Sequence, residues 1–304
     1  MQEFLRNTIK NNISLTEKGN VANYIPELNK AKKNDLGICI INTDGKIFYE
    51  GQYKKKFTIQ SISKILVLML AIIDNGENYV FAKVGMEPSG DPFNSIKKLE
   101  TSTRKKPYNP LINAGAIAVT SMIHGKDNNE KAQRILSFFK KISEDESLDI
   151  NYKIYCGELE TGNRNRALGY FLKSQEIIEG NVEDVLEVYF KQCSIEVTVE
   201  TLAKIGLFLA RNGKNSSGEQ IVSSKITRII KTLMYTCGMY DESGEFAVRV
   251  GIPSKSGVGG GILSVVPNKM GIGIYGPSLN KYGNSIGGIG ILEDLSAKFN
   301  LNIF

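Results

Sequence analysis

Short runs rich in β-branched residues and punctuated by Gly or Pro occur near both ends of the chain, and such runs are typical of β-strands. The runs are 36–41, 46–49, 245–250, Gly261–Val266 and Met270–Tyr275. Thr43-Asp44-Gly45 separates the first two runs, and Pro267-Asn268-Lys269 separates the last two. Both triplets are turn signals, so we expect strands joined by tight turns at both ends of the chain.

The middle of the chain instead repeats apolar residues three and four positions apart, which predicts six or seven helices between about residues 61 and 235. The clearest of these patterns are 184–192, 199–211 and 224–235. A helix is also predicted at each terminus, from the spacing of Met1, Leu5, Ile9 and Ile13 and from the apolar face of Ile286–Phe299.

These elements predict an α+β fold. The simplest assembly pairs the N- and C-terminal strands in one antiparallel sheet, inserts an all-helical lobe between them in the chain, and covers the sheet with helices. No repeat of 20–50 residues and no low-complexity linker divides the sequence. We therefore expect residues 1–304 to form a single domain of two lobes, a sheet lobe of about 1–60 plus 236–304 and a helical lobe of about 61–235. The cleft between lobes is a usual place for a small-molecule site.

Composition narrows the classes of function. The chain has 304 residues, of which 41% are hydrophobic and 23% charged, as in soluble globular proteins. Its longest strongly apolar run, 65–73, is too short to cross a bilayer, and no secretory signal is recognisable at the N-terminus. We predict a cytoplasmic protein that does not enter membranes. The four cysteines, Cys39, Cys156, Cys193 and Cys237, form no Cys-x-x-Cys pair, which favours reduced core thiols over disulfides or metal ligands.

The charge distribution gives little support to nucleic-acid binding. Lys and Arg total 38 against 32 Asp and Glu, a net charge of +6. The basic residues occur in short groups such as Lys54-Lys55-Lys56 and do not form a long stripe with interleaved aromatic residues. Solvated loops on a mildly basic protein explain this pattern better than a nucleic-acid partner does.

Ser61 and Lys64 lie three residues apart at the start of the apolar run 65–73. On the first turn of a helix this spacing puts both side chains on one face, beside unpaired backbone N–H groups that could stabilise an oxyanion. The apolar neighbours would desolvate Lys64 and lower its pKa, and a neutral amine can take a proton from a serine hydroxyl. Because the spacing is common by chance, a serine that caps the helix and a lysine that reaches back to water remain an open alternative.

A second signal occurs late in the chain. Lys255-Ser256-Gly257 is followed by Val258 and three glycines, and we expect it to open a strand at a sheet edge. A Ser-x-x-Lys helix combined with Lys-Ser/Thr-Gly on a sheet edge is typical of penicillin-recognising serine enzymes. The glycines would let a substrate approach the strand, and the N–H groups of Val258 and Ser61 could form an oxyanion hole. The third signature of those enzymes, Ser-Asp-Asn, is absent from the sequence, and a flexible turn is the alternative explanation for the glycine run.

Seven longer segments carry a specific resemblance. They are QSISK (60–64), EPSG (87–90), KPYNPLINAGAI (106–117), ELETGNRN (158–165), YFKQCSIEV (189–197), CGMYD (237–241) and KSGV (255–258). Together they resemble the serine-dependent glutaminases, a family that shares the β-lactamase/transpeptidase-like fold, and the resemblance runs from about residue 24 to residue 299. It implies one catalytic domain that hydrolyses free L-glutamine to L-glutamate and ammonia, without a cofactor or metal ion, as a homodimer or homotetramer.

The resemblance also implies roles for individual residues. Ser61 would be the nucleophile that forms a γ-glutamyl ester, Lys64 its base, and Tyr240 a helper in proton transfer to the leaving ammonia. The residues implied in substrate binding are Tyr24, Gln60, Asn113, Glu158, Asn165, Tyr189 and, through its backbone, Val258. Such groups suit free glutamine, because Glu158 can pair with the α-ammonium group while Asn and Tyr side chains bind the α-carboxylate or the amide.

Other interpretations of the same residues stay open. A penicillin-binding or β-lactamase enzyme would use the same serine and lysine, and a catalytically silent binding protein could keep the fold. Each pocket residue could instead be a core aromatic, a helix cap or a surface charge. The only histidine, His124, has no metal-binding partner near it in the sequence, so we expect a surface or helix-end position and no metal site.

Overall fold

The computed structural model describes residues 1–90, 92–95 and 106–304. Its strands are β1 Gly37–Asn42, β2 Ile47–Gly51, β3 Phe57–Thr58, β4 Glu196–Val197, β5 Ser254–Ser256, β6 Gly261–Val266 and β7 Met270–Tyr275. Its α-helices are α1 Gln2–Asn12, α2 Ser63–Asn75, α3 Glu77–Lys83, α4 Asn113–Ser121, α5 Asn128–Ser143, α6 Tyr152–Thr161, α7 Asn163–Ser174, α8 Val182–Cys193, α9 Val199–Ala210, α10 Ser224–Cys237, α11 Ser243–Arg249 and α12 Ile286–Phe299. Short 3-10 helices occur at Ile13–Lys18, Leu28–Lys30, Gln60–Ile62 and Tyr240–Glu242.

Five strands form one antiparallel sheet in the order β2-β1-β7-β6-β5. The N-terminal hairpin β1–β2 pairs with the C-terminal strand β7, so that Gly37 lies opposite Tyr275 and Ile41 opposite Gly271. The predicted antiparallel sheet of N- and C-terminal strands is therefore confirmed. β6, β7 and α12 have the predicted bounds, and α1 confirms the helix predicted at the N-terminus.

The strand predicted at 245–250 is wrong, because this segment belongs to α11. Its apolar residues Phe246, Val248 and Val250 alternate along the sequence, and that alternation favoured a strand. In the structure Phe246 and Val250 are buried, whereas Val248 is 83% exposed. The two buried residues, Phe246 and Val250, are therefore four positions apart, which matches the periodicity of a helix.

A two-stranded ribbon lies outside the main sheet. Phe57 in β3 pairs with Val197 in β4, and the backbone N–H of Ile59 donates to the carbonyl of Ile195 at 2.9 Å. Two-residue strands are too short to show an alternating pattern, so the sequence does not predict this ribbon. The ribbon fixes the chain immediately before Ser61 against the segment that follows α8.

The main sheet separates two hydrophobic cores. Ile38 and Ile40 of β1 pack in one core with residues of α12, including Leu292 and Leu295. The intervening Cys39 and Ile41 face the other core, which contains much of the helical region. Because successive side chains of a strand point to opposite faces, this one strand contributes to both cores. Helices thus cover both faces of the sheet, as predicted.

Between Ser63 and Cys237 the described part of the chain contains nine α-helices, against the six or seven predicted. α2 is deeply buried: every residue from Ser63 to Ile72 is inaccessible to solvent or nearly so. The run contains no Gly or Pro, and the helix ends where Gly76 adopts a φ of +81°. The first turn of α2 therefore carries Lys64 into the protein interior.

Within residues 1–90, 92–95 and 106–304, no single helix is long and apolar enough to cross a membrane, although Gln60–Asn75 and Glu77–Lys83, bent by 119°, pass that test as a pair. All four cysteines are free thiols, and Cys39, Cys193 and Cys237 are buried as predicted. The prediction of a core position is wrong for Cys156, which lies on the exposed face of α6. His124 is exposed just beyond α4, in agreement with the surface position expected for it.

α9 packs closely on β7 because the strand presents glycines to the helix. A Cβ atom at Gly273 would overlap the carbonyl oxygen of Val199, and one at Gly271 would overlap the backbone of Ala203 and Leu207. Both obstacles are backbone atoms of the helix, which cannot move without shifting the whole element. The close approach of helix and sheet therefore requires glycine at both positions.

We expect Gly273→Ala to lower the free energy of unfolding by at least ~2 kcal/mol, because overpacking against a helix backbone forces the helix away from the sheet. Urea denaturation monitored by circular dichroism measures the change. Gly180→Ala is the matched control, since a Cβ there meets no atom within 4 Å. Equal stability of the two variants would contradict the close packing of α9 on β7.

Candidate active site

A cavity of about 300 Å³ lies where the N-terminal turn of α2 meets α6, α7, α8 and the glycine-rich turn after β5. Eight of the ten residues predicted for the site line it: Tyr24, Gln60, Ser61, Asn113, Glu158, Asn165, Tyr189 and Val258. Concave sites with a few convergent polar groups are the usual form of small-molecule sites. A larger cleft of about 590 Å³ lies elsewhere, near Tyr79 and Asn181, and includes none of these residues.

Ser61 sits in the short 3-10 helix Gln60–Ile62, which leads directly into α2. The residue before it, Gln60, has a φ of +48°, a left-handed conformation that is uncommon for a residue other than glycine. The ribbon β3–β4 holds the chain on the N-terminal side and the buried helix α2 holds it on the C-terminal side. Ser61 is consequently 7% exposed and fixed at the cavity wall.

Lys64 lies one turn further on and is 2% exposed. Its Nζ donates to the carbonyl oxygen of Leu111 at 3.2 Å and to Oδ1 of Asn113 at 2.7 Å, so both partners of the amine are neutral. Burial lowers the pKa of Lys64 to about 8, although the charge of Glu158 acts in the opposite direction. At pH 7 about a tenth of the molecules therefore carry this amine in its neutral form.

Tyr240 lies in the 3-10 helix Tyr240–Glu242 and has a φ of +55°. Its hydroxyl donates to the carbonyl oxygen of Ser256 at 3.1 Å, and it also lies within hydrogen-bonding reach of the Ser61 side chain. Burial raises the pKa of Tyr240 far above its usual value, against the effect of the Ser61 hydrogen bond. The phenol therefore keeps its proton at neutral pH.

A second buried lysine supports the Tyr240 ring. Lys255 is fully buried, and its Nζ lies 4.4 Å from the centroid of that ring. Nζ donates to the carbonyl oxygens of Gly238 at 3.2 Å and Ser256 at 2.5 Å, which ties the turn that carries Tyr240 to β5. Burial lowers the pKa of Lys255, and the charge of Lys64 lowers it further.

Among the described residues that line the cavity, Glu158 is the one with a carboxylate, and it is 5% exposed. The Tyr24 hydroxyl lies 3.2 Å from both Oε1 of Glu158 and Oε1 of Gln60, so the three side chains form one cluster. Burial raises the pKa of Glu158 to about 7, while hydrogen bonds from Tyr24 and Gln60 and the charge of Lys64 lower it. Glu158 can therefore ionise near neutral pH, and its buried carboxylate could then accept hydrogen bonds from a cationic group in the cavity.

Asn113 connects Lys64 to the substrate side of the cavity. While its Oδ1 accepts from Lys64, its Nδ2 donates to Oδ1 of Asn165 at 2.9 Å. Tyr189, which is 3% exposed, lines the same cavity. The hydrogen bond between the two side-chain amides fixes the orientation of Asn113 and Asn165 without adding a charge beside Lys64.

The glycine-rich turn 257–260 packs on the backbone that precedes Ser61. A Cβ at Gly257 would lie 2.8 Å from the carbonyl oxygen of Ile59, and one at Gly259 would lie 2.7 Å from that of Thr58. Glycine is therefore needed for the turn to approach this closely. In the described part of the chain, no hydrogen bond joins the backbone N–H of Ser61 or Val258 to a carbonyl group.

The structure corrects one prediction about this segment. Lys255 and Ser256 do not open a strand; they end the edge strand β5, and the turn 257–260 then leads into β6. Strand β5 is only three residues long, and its pattern Ser-Lys-Ser contains no apolar residue, although all three side chains are buried. A polar strand buried at a functional site does not follow the pattern that identifies strands in sequence.

Lys64 and Tyr240, the other two predicted residues, are not among those that line this cavity. Each contacts a residue that does: Lys64 Nζ donates to Asn113, and the Tyr240 hydroxyl lies within hydrogen-bonding reach of Ser61. Several residues that line the cavity were not predicted from the sequence. They are Phe93, Asn94, Thr161, Gly162, Arg164 and Cys193. Four of these fall inside the motifs at 158–165 and 189–197, so their positions were available as a signal. Phe93 and Asn94 lie outside every motif, and the ring of Phe93 packs 4.7 Å from that of Tyr240.

Comparisons of the sequence and of the structure with known proteins all find glutaminases. The chain matches the family model described as Glutaminase over residues 19–304. A glutaminase from Fusobacterium nucleatum is 67% identical over 304 residues, which cover 100% of both chains. The crystal structure of a probable glutaminase from Bacillus subtilis superposes with a TM-score of 0.94 at 38% identity, covering 100% of this chain and 97% of its own. The covalent complex of a B. subtilis glutaminase with 5-oxo-L-norleucine, formed by reaction with 6-diazo-5-oxo-L-norleucine, gives a TM-score of 0.90 at 36% identity and coverage of 100% and 99%.

The lowered pKa of Lys64 makes protein stability depend on pH. Between pH 8 and about 10.5 the unfolded chain binds a proton at Lys64 that the folded chain does not, so folding becomes more favourable as the pH rises through this window. We expect the stability of the wild type relative to Lys64→Met to increase by about 2 kcal/mol between pH 7 and pH 10.

Denaturant unfolding of both proteins at a series of pH values measures this difference. Lys204→Met is the matched control, because that side chain is one third exposed and pairs with Glu200 on the surface of α9. A stability difference between wild type and Lys64→Met that stays constant with pH would show that the Lys64 pKa is not lowered by folding.

Proposed function

Because the chain belongs to the glutaminase family and is an amidohydrolase acting on the side-chain amide of glutamine, we propose that Ser61 is its nucleophile, Lys64 the base and Tyr240 a proton carrier. Membership of the family confirms the resemblance carried by the seven motifs, together with the predicted glutamine hydrolysis and the predicted fold class. One observation carries the proposed roles: Lys64 is buried one turn from Ser61, and the described groups that accept its hydrogen bonds, Leu111 O and Asn113 Oδ1, are neutral.

In the first step, neutral Lys64 accepts the Ser61 hydroxyl proton while Oγ forms a bond to the δ-carbon of glutamine. The carbonyl π-electrons move to its oxygen, and the N–H groups of Ser61 and Val258 donate to that oxyanion. Collapse of the tetrahedral intermediate breaks the C–N bond. The leaving nitrogen takes a proton from the Lys64–Tyr240 pair and departs as ammonia, which leaves a γ-glutamyl ester on Ser61.

In the second step, water attacks the ester carbon. The same Lys64–Tyr240 pair removes a proton from the water and returns one to Oγ of Ser61, so that glutamate leaves and the starting protonation state is restored. Tyr240 is suited to this role because its phenol keeps its proton at neutral pH and its hydroxyl is within reach of Ser61. Atoms and charges balance without an additional reagent.

Substrate recognition follows from the charges of the cavity. Glu158 would bind the α-ammonium group, while Tyr24, Asn165 and Tyr189 would bind the α-carboxylate. Gln60 would orient the substrate, and Asn113 would hold the side-chain amide next to Lys64. Since both charged ends of free glutamine would be held, glutamine within a peptide would lack the groups that the site binds.

We further propose that residues 1–304 work as one catalytic domain, with the sheet lobe at about 1–60 plus 236–304 and the helical lobe at about 61–235. The enzyme is proposed to act in the cytoplasm on a small molecule, with neither membrane nor nucleic acid as a partner, and as a homodimer or homotetramer. These proposals rest on the family resemblance and on the composition. Light scattering coupled to size-exclusion chromatography distinguishes the two oligomers from a monomer.

Ser61→Ala is expected to abolish ammonia release from L-glutamine and the covalent adduct with 6-diazo-5-oxo-L-norleucine, because both need the Oγ nucleophile. Lys64→Met should lower kcat by at least ~1000-fold while leaving the fold intact, since an unactivated serine hydroxyl is a poor nucleophile. Intact-protein mass spectrometry and an ammonia assay give the two readouts.

Ser63→Ala is the matched control for Ser61→Ala, because Ser63 is buried two residues away and its hydroxyl faces Cys193 at 4.0 Å. It should keep both adduct and turnover. An adduct that persists in Ser61→Ala, or turnover of a chromogenic β-lactam without turnover of glutamine, would refute the proposed chemistry.

The pH dependence of kcat/KM should report two groups. Glu158, with a pKa near 7, must be ionised to bind the ammonium group, and Lys64, with a pKa near 8, must be neutral to act as a base. Because the two groups interact, the free enzyme should show two apparent pKa values that belong to the pair. We expect kcat/KM to rise between pH 6 and pH 9.

In Glu158→Gln the residual activity should rise in a single step, displaced to slightly lower pH because Glu158 no longer raises the pKa of Lys64. Ammonia release measured in overlapping buffers of constant ionic strength provides the profile. A kcat/KM that is flat or falls between pH 6.5 and pH 8.5 would contradict the assigned protonation states.

A further inference from the structure

Tyr240 occupies a backbone conformation that its own residue type does not favour. Its φ of +55° lies in the left-handed region, where a bulky side chain is strained unless the surroundings enforce the conformation. Part of the enforcement is local: Oγ of Ser243 donates to the carbonyl oxygen of Tyr240 at 2.7 Å and accepts from the N–H of Met239 at 3.0 Å. Further restraints come from a segment about 40 residues further along the chain.

Glu242, in the same 3-10 helix as Tyr240, is 8% exposed, and the partners of its carboxylate are amides. Oε2 accepts from Nδ2 of Asn280 at 2.7 Å and from Nδ2 of Asn284 at 2.7 Å. The same Nδ2 of Asn284 also donates to the carbonyl oxygen of Met239, at 3.0 Å. Asn284 is fully buried, and its side-chain amide bridges Met239 and Glu242, which lie on either side of Tyr240 in the sequence.

The loop that supplies these amides is itself rigid. Oδ1 of Asn280 accepts from the backbone N–H groups of Tyr282 and Asn284, and Asn280 N–H donates to the carbonyl oxygen of Asn284 at 2.8 Å. Leu279, the preceding residue, pairs with Asn20 through two backbone hydrogen bonds of 2.9 Å. The loop therefore offers a fixed support rather than a flexible cover.

The same loop also touches the catalytic side of Tyr240. A Cβ placed on Gly283 would lie 3.6 Å from Cε2 of Tyr240 and 3.5 Å from Cγ1 of Val258, which is ordinary contact distance. The Gly283 backbone thus lies close to both the phenol ring and the turn that carries the Val258 N–H.

We propose that Glu242 and Asn284 are positioning residues that hold Tyr240 in its left-handed conformation, and thereby keep its hydroxyl beside Ser61. This inference rests on the proposed role of Tyr240 in proton transfer. Neither residue touches the substrate cavity, so both act only through Tyr240. Their loss should impair the chemical steps much more than substrate binding.

The test is a double-mutant cycle between Glu242→Met and Tyr240→Phe, with kcat and KM measured for L-glutamine. Glu242→Met keeps the length of the side chain and removes the acceptor for both amides. We expect it to lower kcat at least tenfold, to change KM by less than threefold, and to have almost no further effect in the Tyr240→Phe background. Glu242→Gln, which retains an acceptor oxygen, should recover most of the kcat.

Glu245→Met is the matched control, because Glu245 lies three residues on, is exposed and pairs with Arg249 on the surface; its kcat should equal that of the wild type. Asn280→Ala provides a second route if Glu242→Met does not fold, since Asn280 is only partly buried. It removes one of the two donors to Glu242 and should lower kcat several-fold, again only when Tyr240 is present.

The outcomes separate the two proposals. If Tyr240→Phe lowers kcat but Glu242→Met and Asn280→Ala do not, the positioning role of Glu242 and Asn284 is refuted while the role of Tyr240 stands. If the loss caused by Glu242→Met is equally large in the Tyr240→Phe background, Glu242 acts by another route and the inference is wrong. If Tyr240→Phe leaves kcat unchanged, the proposed role of Tyr240 fails, and the inference falls with it.

Discussion

The structure depends on one constraint: the amine of Lys64 must be kept away from water and hydrogen-bonded to neutral acceptors, yet lie one turn from Ser61. Burial in α2 provides the first condition, and the neutral acceptors Leu111 O and Asn113 Oδ1 provide the second. A carboxylate at either acceptor position would favour the ammonium form and raise the pKa of Lys64. The apolar helix α2, the amide of Asn113 and the short 3-10 turn before α2 can all be understood as means to that end.

Several residues around Ser61 and Lys64 adopt strained backbone conformations or bury ionisable groups, and both features lower the stability of the fold. Gln60, which precedes Ser61, and Tyr240, whose hydroxyl reaches Ser61, both have positive φ values, and each such residue costs on the order of 1–3 kcal/mol. Glu158 and Lys255 are buried with raised and lowered pKa values respectively. Proteins commonly accept strain and buried ionisable groups at functional sites, because the rest of the fold supplies the compensating stability. Here the compensation comes from two hydrophobic cores on either side of the central sheet.

Much of this could be predicted from the sequence, and the failures have physical causes. β6, β7 and α12 follow regular patterns, so their bounds were predictable, as was the spacing of Ser61 and Lys64. The segment 245–250 was wrongly predicted as a strand because Phe246, Val248 and Val250 alternate with a period of two, whereas only Phe246 and Val250, four positions apart, are buried. The partners of Lys64 come from residues about 50 positions away, and only tertiary structure brings them together. Phe93 belongs to no motif and therefore carries no signal in the sequence. β5 has no apolar residue, so its bounds as a strand do not show in the hydrophobic pattern, although Lys255 and Ser256 belong to the motif at 255–258.

The protonation state of Lys64 can be measured directly. In protein labelled with ¹³C-lysine, the Cε resonance that disappears in Lys64→Met belongs to this residue, and its chemical shift can be followed with pH in the free enzyme. A midpoint near pH 8 is predicted. A midpoint at about 10.4 or above, the value of an ordinary solvated lysine, would mean that the amine is charged at neutral pH, and Lys64 could not then be the base that activates Ser61.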